Sequence, residues 1–210
     1  KAPEFTTGQL KEMEKKQKEI KLILDKFQKK ILKDNKKHIL GICLLPPKKE
    51  DKNKFNVLVA LDDSKSKIIP DFKMRDKVSR EIIDIAKKVD EKITVEPILV
   101  SEIKESLYDA KYELLQLIAM SAILYDPMDF LGALKISEVH KSMTIKKFEK
   151  YVVSYVAAGS VFRGEPSHDI DVYVIIDDTD VKRMSRTELK DKLRGLILEQ
   201  GYHAERITGI

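Results

Sequence analysis

Four residues near the middle of the second half of the chain have side chains and a spacing that suit phosphate and metal chemistry. Gly159 and Ser160 follow the apolar run Tyr151–Ala158, while Asp169 and Asp171 precede another apolar run. A glycine after a strand lets the chain turn tightly, so that backbone amides reach a phosphate, and the serine adds a hydroxyl donor. Carboxylates two residues apart on a strand project from one face and share hard cations such as Mg²⁺.

This combination is typical of phosphoryl transfer, which asks a protein mainly for in-line positioning and for neutralisation of negative charge. Mg²⁺ ions on paired carboxylates meet both needs, because one lowers the pKa of the acceptor hydroxyl and the other binds the triphosphate and the leaving pyrophosphate. Arg163, in the loop between the two runs, adds a cation. A third carboxylate normally completes such a site.

The segment from 158 to 172 resembles the nucleotidyltransferase superfamily that includes DNA polymerase beta, the tRNA CCA-adding enzymes and the minimal nucleotidyltransferases of prokaryotes. The motif of that family is Gly-Ser, a short loop that often contains Arg-Gly, and Asp-x-Asp on the next strand. Here these elements are Gly159-Ser160, Arg163-Gly164 and Asp169-Ile170-Asp171. Outside this segment the resemblance rests on the order of elements alone.

The resemblance implies Mg²⁺-dependent transfer of a nucleotidyl group, most simply AMP from ATP, to a hydroxyl of an unidentified nucleic acid, protein or small molecule. It implies that Asp169 and Asp171 are the catalytic residues and the metal ligands. The residues implied to bind the nucleoside triphosphate are Gly159, Ser160, Arg163 and Gly164.

The segment departs from the family pattern in two ways. The loop between Ser160 and Asp169 is shorter than expected, and His168 stands where family members commonly have Ser. No third acidic residue is identified; Glu205 is the nearest carboxylate, but it falls at a helix end or in a loop and is not assigned to the site.

Two other functions stay open from the sequence. One is a catalytically inactive nucleotide-binding or regulatory module of the same fold, because Asp-Ile-Asp by itself is also typical of a solvated strand edge. The other is a nucleic-acid-binding module that uses the lysine-rich N-terminal helix. The net charge of +5 favours neither, because it is a small surplus of 40 basic over 35 acidic residues that are interleaved along the chain.

The periodicity of the first half predicts one α/β unit. A stripe of residues alternately three and four apart predicts a long first helix that packs on its own domain, with a dimer contact as the alternative. The stripe consists of Leu10, Met13, Gln17, Ile20, Leu24, Phe27 and Ile31. Further runs predict strands Ile39–Leu45, Phe55–Leu61 and Ile93–Val100 and helices Met74–Val89 and Lys111–Leu124.

From Phe130 the pattern starts again. We expect a helix from about Ile136 to Lys150, strands Tyr151–Ala158 and Asp169–Ile176, and a helix from Arg186 to about Gln200. Ser185 and Glu188 form a capping box at the start of the last helix.

An ungapped offset of 115 residues brings the two halves into register, which predicts an internal repeat. The predicted fold is therefore α/β (α+β), with two nucleotidyltransferase-like units, each a small mixed sheet flanked by helices. The first unit is expected at residues 1–129 and the second at 130–210, where the repeat stops before its last strand is complete.

In this register every motif residue of the second unit has a different counterpart in the first. Leu44-Leu45 replaces Gly159-Ser160, Lys48 replaces Arg163, and Lys54 and Asn56 replace the two aspartates. Because a Lys repels Mg²⁺, the first unit is expected to keep the fold without metal-dependent chemistry. Glu96, on the strand where the family places its third carboxylate, is either a remnant of that residue or an ordinary exposed side chain.

The remaining features bound the class of protein. The single cysteine, Cys43, lies in an apolar run and is expected to be a buried thiol without a chemical role. No stretch has the length and apolar content of a membrane span or a signal peptide, so a globular cytoplasmic protein without a membrane partner is expected.

Overall fold

The computed structural model describes residues 7–48, 51, 53–63, 72–109, 111–159, 169–181 and 183–210. Within these ranges the chain is mixed α/β, as predicted, and it divides into two compact units, Lys1–Val100 and Ser101–Ile210. This division follows compactness, whereas the predicted boundary after residue 129 follows the sequence repeat. The repeat boundary stays a prediction.

The first unit has the predicted order of helix, two strands, helix and strand. The elements are α1 (Thr7–Asn35), β1 (Ile39–Leu44), β2 (Phe55–Leu61), α2 (Phe72–Val89) and β3 (Ile93–Leu99). Strand β1 pairs antiparallel with β2, and β2 pairs parallel with β3. Helix α2 packs on α1 and on β3.

The apolar stripe of α1 has two different environments. Leu24, Phe27 and Ile31 are buried and pack in the core of the unit, as expected for a helix that covers its own domain. Leu10 and Met13, towards the N-terminal end, are 47% and 45% exposed. The C-terminal half of the stripe therefore supplies the packing surface of α1.

Helix α3 (Val100–Tyr108) begins at the unit boundary, and helix α4 (Glu113–Ala119) follows it in the second unit. The later elements of this unit are β4 (Ala122–Tyr125), α5 (Phe130–Phe148), β5 (Val152–Ala158), β6 (Asp171–Ile176) and α6 (Arg186–Thr208). Strands β5 and β6 pair antiparallel. Helix α5 packs on α4, β5 and α6. The predicted capping box is confirmed at its first residue, because the Glu188 amide donates to Ser185 Oγ at 3.2 Å.

The predicted single helix Lys111–Leu124 is wrong, because this segment contains helix α4 and strand β4. The helix ends where the Ser121 hydroxyl donates to the Ile118 carbonyl at 2.7 Å, which satisfies an acceptor that a further turn would have used. Helix α5 begins earlier than expected, at Phe130. The Asp126 carboxylate accepts bonds from the amides of Phe130 (3.0 Å) and Gly132 (2.7 Å) and so caps its first turn.

The hairpins of the two units match pair for pair. In the first hairpin Ile42 pairs with Val59, and in the second Tyr155 pairs with Val174. Tyr155 lies 113 residues after Ile42, and Val174 lies 115 residues after Val59. Both ladders carry an irregularity in the corresponding place, between Ile39 and Gly41 and between Val152 and Ser154. The repeat is therefore visible in the backbone pairing of the hairpins.

The two different offsets correct the ungapped alignment. Strand β1 precedes β5 by 113 residues and β2 precedes β6 by 115, so the loop of the second hairpin is two residues longer. Pro46, and not Leu44, therefore corresponds to Gly159. The expected match of Asn56 with Asp171 is retained, since the ladders end on corresponding pairs: the Leu45 amide donates to the Asn56 carbonyl, and Ala158 pairs with Asp171.

No helix in the part of the chain that the structure describes is long and apolar enough to cross a membrane. Cys43 is buried, as expected.

Candidate functional site

The structure brings Gly159 against the backbone that carries the two predicted aspartates. Strand β5 ends at Ala158, and Gly159 then turns with a φ of 127°, a conformation that residues with a Cβ atom rarely adopt. A Cβ atom placed on Gly159 would lie 3.6 Å from the Asp169 carbonyl oxygen and 3.7 Å from the Asp171 nitrogen. The residue after the end of β5 therefore lies beside the start of β6. The other predicted nucleotide-binding residues, Ser160, Arg163 and Gly164, lie outside the described residues.

The predicted strand Asp169–Ile176 is too long at its start, because β6 begins at Asp171. The ladder of β5 and β6 ends at the pair Ala158 and Asp171, which leaves Asp169 and Ile170 before the strand. The expectation that both carboxylates project from one face of a strand therefore does not apply. Both aspartates are exposed, and Asp169 borders a cavity that Asp171 does not line.

Asp171 begins the exposed face of the β5–β6 hairpin. Side chains alternate along β6, so Tyr173 and Ile175 share this face with Asp171, and Val156 joins them through its pairing with Tyr173. Tyr173 is 61% exposed, and Ile175 and Val156 are also exposed. The Asp171 carboxylate thus stands at one end of an open, largely apolar strip, where a bound group has access from solvent.

Residues Val172–Ile176 of β6 border a cavity of about 1180 Å³ within the second unit. Helix α5, strands β5 and β6, and helix α6 all contribute to its wall. The wall combines aliphatic side chains such as Leu193 and Ile197 with the polar Asp169, Asp178 and Arg186. The Arg186 guanidinium lies 3.2 Å from the Asp178 carboxylate, and both residues border the cavity.

A partly buried set of hydrogen bonds through His140 links β5 to both helices. His140 of α5 lies 2.8 Å from the Tyr155 hydroxyl through Nδ1 and 3.0 Å from the Ile197 carbonyl through Nε2. A carbonyl can only accept, so Nε2 carries the proton and Nδ1 accepts from Tyr155. Burial raises the pKa of the Tyr155 hydroxyl, with a smaller contribution from the Glu138 carboxylate, so the hydroxyl keeps its proton. No sequence pattern indicated these hydrogen bonds, because Ile197 contributes a backbone atom and lies 57 residues after His140.

The donor set of the candidate site fits Mg²⁺ in part. Asp169 and Asp171 offer exposed carboxylate oxygens, which are the hard ligands that Mg²⁺ takes, and this ion usually binds through one or two carboxylates plus substrate phosphates and water. Among the described residues there is no group of three or more His, Cys, Asp or Glu side chains that could hold a metal ion. The two aspartates therefore suit a metal that arrives with a phosphate ligand.

The corresponding place in the first unit has a different chemistry. Asn56, the counterpart of Asp171, is only 2% exposed and offers a neutral amide instead of a carboxylate. Glu96 lies on β3 opposite Leu58, and its carboxylate is 2.5 Å from the Lys48 ammonium group. A protein cation thus contacts this carboxylate.

Comparisons with protein-family models, with curated proteins and with solved structures find no match to this chain. The resemblance to nucleotidyltransferases therefore rests on the residues between 158 and 172.

Proposed function

We propose that the second unit is a Mg²⁺-dependent nucleotidyltransferase that moves a nucleotidyl group, most simply AMP from ATP, to a hydroxyl acceptor. The observation that supports this proposal best is the contact between Gly159 and the backbone of Asp169 and Asp171. A nucleotide whose phosphates lie on the amides after Gly159 would lie beside the segment that carries both aspartates, which is the order of elements that the Gly-Ser and Asp-x-Asp motifs predict.

Each residue has a defined part in this proposal. Gly159 leaves space for phosphate oxygens to approach the backbone, and Ser160, Arg163 and Gly164 are the expected further contacts in the loop. Asp169 and Asp171 would hold Mg²⁺, which when bound neutralises charge on the triphosphate and lowers the pKa of an acceptor hydroxyl. The pairing with Ala158 fixes the backbone of Asp171 at the start of β6, and Asp169 precedes the strand.

Pyrophosphate release from ATP tests the proposal. The full-length protein is expected to release pyrophosphate in a Mg²⁺-dependent reaction, and the double variant Asp169→Asn with Asp171→Asn is expected to lose it, because amides are poor ligands for Mg²⁺. Asp191→Asn is the matched control, since Asp191 is an exposed carboxylate of the same unit that does not border the cavity. Equal release by the double variant would rule out the two aspartates as metal ligands.

One observation favours a second candidate, a nucleotide-binding or regulatory module without catalysis. The described residues contain no group of three or more side chains that could hold a metal ion, and of the two aspartates only Asp169 borders the cavity. A site that binds without catalysis would still stabilise the fold, by about 2.7 kcal/mol when ATP is present at a hundred times its Kd. Thermal stabilisation by ATP and Mg²⁺ without pyrophosphate release would therefore support the module, and stabilisation with release would support the enzyme.

A further inference from the structure

We propose that the C-terminal half of α1 binds the phosphate backbone of a nucleic acid through a row of lysines. The lysine row consists of Lys26, Lys29, Lys30 and Lys33 in α1 and of Lys36 and Lys37 in the 3-10 turn Lys36–His38 that follows the helix. It belongs to the first unit, so the proposal does not depend on the transfer reaction proposed for the second.

The four lysines of α1 lie on one face of the helix. They are three, one and three residues apart, which places them within an arc of about 100° in a helix of 3.6 residues per turn. At a rise of 1.5 Å per residue they occupy about 10 Å of the helix axis. All six lysines of the row are exposed. The row is therefore a line of closely spaced cations that solvent and ligands can reach.

Core packing on the opposite face of this half holds the row in place. Leu24 is 4% exposed, and Phe27 and Ile31 are fully buried. Because these side chains anchor α1 in the core of the unit, the direction of the lysine face is fixed by the fold. A ligand therefore meets an ordered surface and not a flexible basic tail.

The row is also poor in negative charge. Residues 26–38 contain six lysines and one acidic residue, Asp34. Asp25 and Asp34 lie about 90° to either side of the centre of the lysine face. Among the described residues no carboxylate forms an ion pair with the row, whereas Lys16, earlier in α1, lies 2.9 Å from Glu12. The exposed surface of α2 is mixed, since three acidic residues accompany its six basic ones.

The density of positive charge favours a nucleic acid over an acidic protein segment. One strand of a duplex carries a phosphate about every 3.4 Å of its axis, so about three phosphates pass along the four lysines of α1. An acidic peptide strand presents a carboxylate to one face only about every 6.6 Å, because alternate side chains point away. The phosphate chain therefore neutralises more of the row.

The surroundings of the row favour the backbone of the nucleic acid over its bases and over a membrane. The row contains no arginine, and the one aromatic side chain of α1, Phe27, is buried, so the groups that commonly read or stack on bases are absent from this face. A helix that lies in a membrane interface inserts its apolar face into lipid, and the apolar face of this half is buried in the core.

Binding of a fluorescently labelled DNA duplex of about 20 base pairs tests the proposal on the full-length protein. Four phosphate contacts predict that log Kd rises with log salt concentration with a slope of about 3.6, so affinity falls at least about a hundredfold between 50 and 200 mM salt. Lys29→Gln with Lys33→Gln should lower this slope by about 2 and weaken binding by more than about tenfold at 100 mM salt. Glutamine is as good a helix former as lysine, so α1 is retained.

Lys87→Gln with Lys88→Gln is the matched control, because it removes the same charge from exposed positions of α2 in the same unit. It should keep the slope of the wild type. Two duplexes of unrelated sequence should bind within about threefold of each other, since phosphate contacts carry no sequence information.

Three results would overturn the proposal. One is an equal slope and affinity in the Lys29 and Lys33 double variant and in the control. Another is a preference of more than about tenfold for one duplex, which would assign the binding to base contacts. The third is binding to vesicles that contain phosphatidylserine without binding to the duplex, which would assign the row to a membrane surface.

Discussion

Replacing Tyr155 by Phe removes one hydroxyl and leaves the half-buried ring in place. The hydroxyl donates to His140 Nδ1 at 2.8 Å, while His140 Nε2 is engaged with the Ile197 carbonyl at 3.0 Å. The ring of His140 therefore cannot exchange its two nitrogens without losing the second bond, and Nδ1 would stay buried without a donor. Leaving a buried acceptor unsatisfied costs about 1–3 kcal/mol. We expect the free energy of unfolding of Tyr155→Phe, measured by urea denaturation, to fall by that amount.

Tyr173→Phe is the matched control, because Tyr173 lies on the paired strand but is 61% exposed. Its unfolding free energy should stay within about 0.5 kcal/mol of the wild type. If Tyr155→Phe were as stable as this control, the hydrogen-bond chain through His140 would not contribute to stability and the assigned proton positions would be wrong.

The same pair of variants predicts a difference at alkaline pH. Burial raises the pKa of the Tyr155 hydroxyl above its ordinary value of 10.0, so the folded state holds a proton that the unfolded state releases. Stability from this group is fully present below about pH 10 and falls as the pH rises from there towards the folded pKa. The wild type and Tyr173→Phe should both show this alkaline loss, and Tyr155→Phe should show less of it.

Three further substitutions test other parts of the structure by denaturation. Asp126→Ala should lower the unfolding free energy by about 0.5–2 kcal/mol, because it removes the carboxylate that caps α5; an unchanged value would exclude this cap. Gly159→Ala should lower it by about 1–2 kcal/mol through the strain of a positive φ, since the space for a methyl group is sufficient; a stability gain would contradict the observed turn. Lys48→Met should change it by less than about 1 kcal/mol, because the ion pair with Glu96 is solvent-exposed; a larger loss would mean that this pair supports the first unit.

Much of the fold was predictable because the periodicity of apolar residues in a long segment indicates a helix or a strand. The elements of the first unit and the β5–β6 hairpin agree with the sequence patterns, and the turn at Gly159 lies where the glycine indicated it. The pairing of Asn56 and Asp171 as counterparts also followed from the repeat. These predictions depended on local sequence and on one long-range similarity.

The errors arose where tertiary contacts decide the structure. The segment around Ser121 reads as one apolar helix, but a side-chain bond to the Ile118 carbonyl ends α4 and a strand follows. Helix α5 starts earlier than its periodicity suggested because Asp126 caps it from outside the helix. The ungapped repeat hid a two-residue difference between the hairpin loops, since apolar strands tolerate a shift in alignment that only the backbone pairing reveals.

The candidate site was predictable in its residues but not in its surroundings. Asp169 was expected on the strand, yet the ladder ends at the pair Ala158 and Asp171, next to the turn at Gly159. The cavity beside β6 and the hydrogen bonds of His140 depend on side chains and backbone atoms that are distant in sequence. No local pattern could have indicated them.

Transfer of a labelled nucleotide tests the central claim most directly. The full-length protein is incubated with Mg²⁺, candidate hydroxyl acceptors and ATP labelled either in the α-phosphate or in the γ-phosphate. Nucleotidyl transfer predicts that the acceptor gains the α-label, that the γ-label leaves in pyrophosphate, and that Asp171→Asn abolishes both outcomes while Asp191→Asn retains them. Transfer of the γ-label to the acceptor, or α-label transfer that persists in Asp171→Asn, would contradict the assignment of this site.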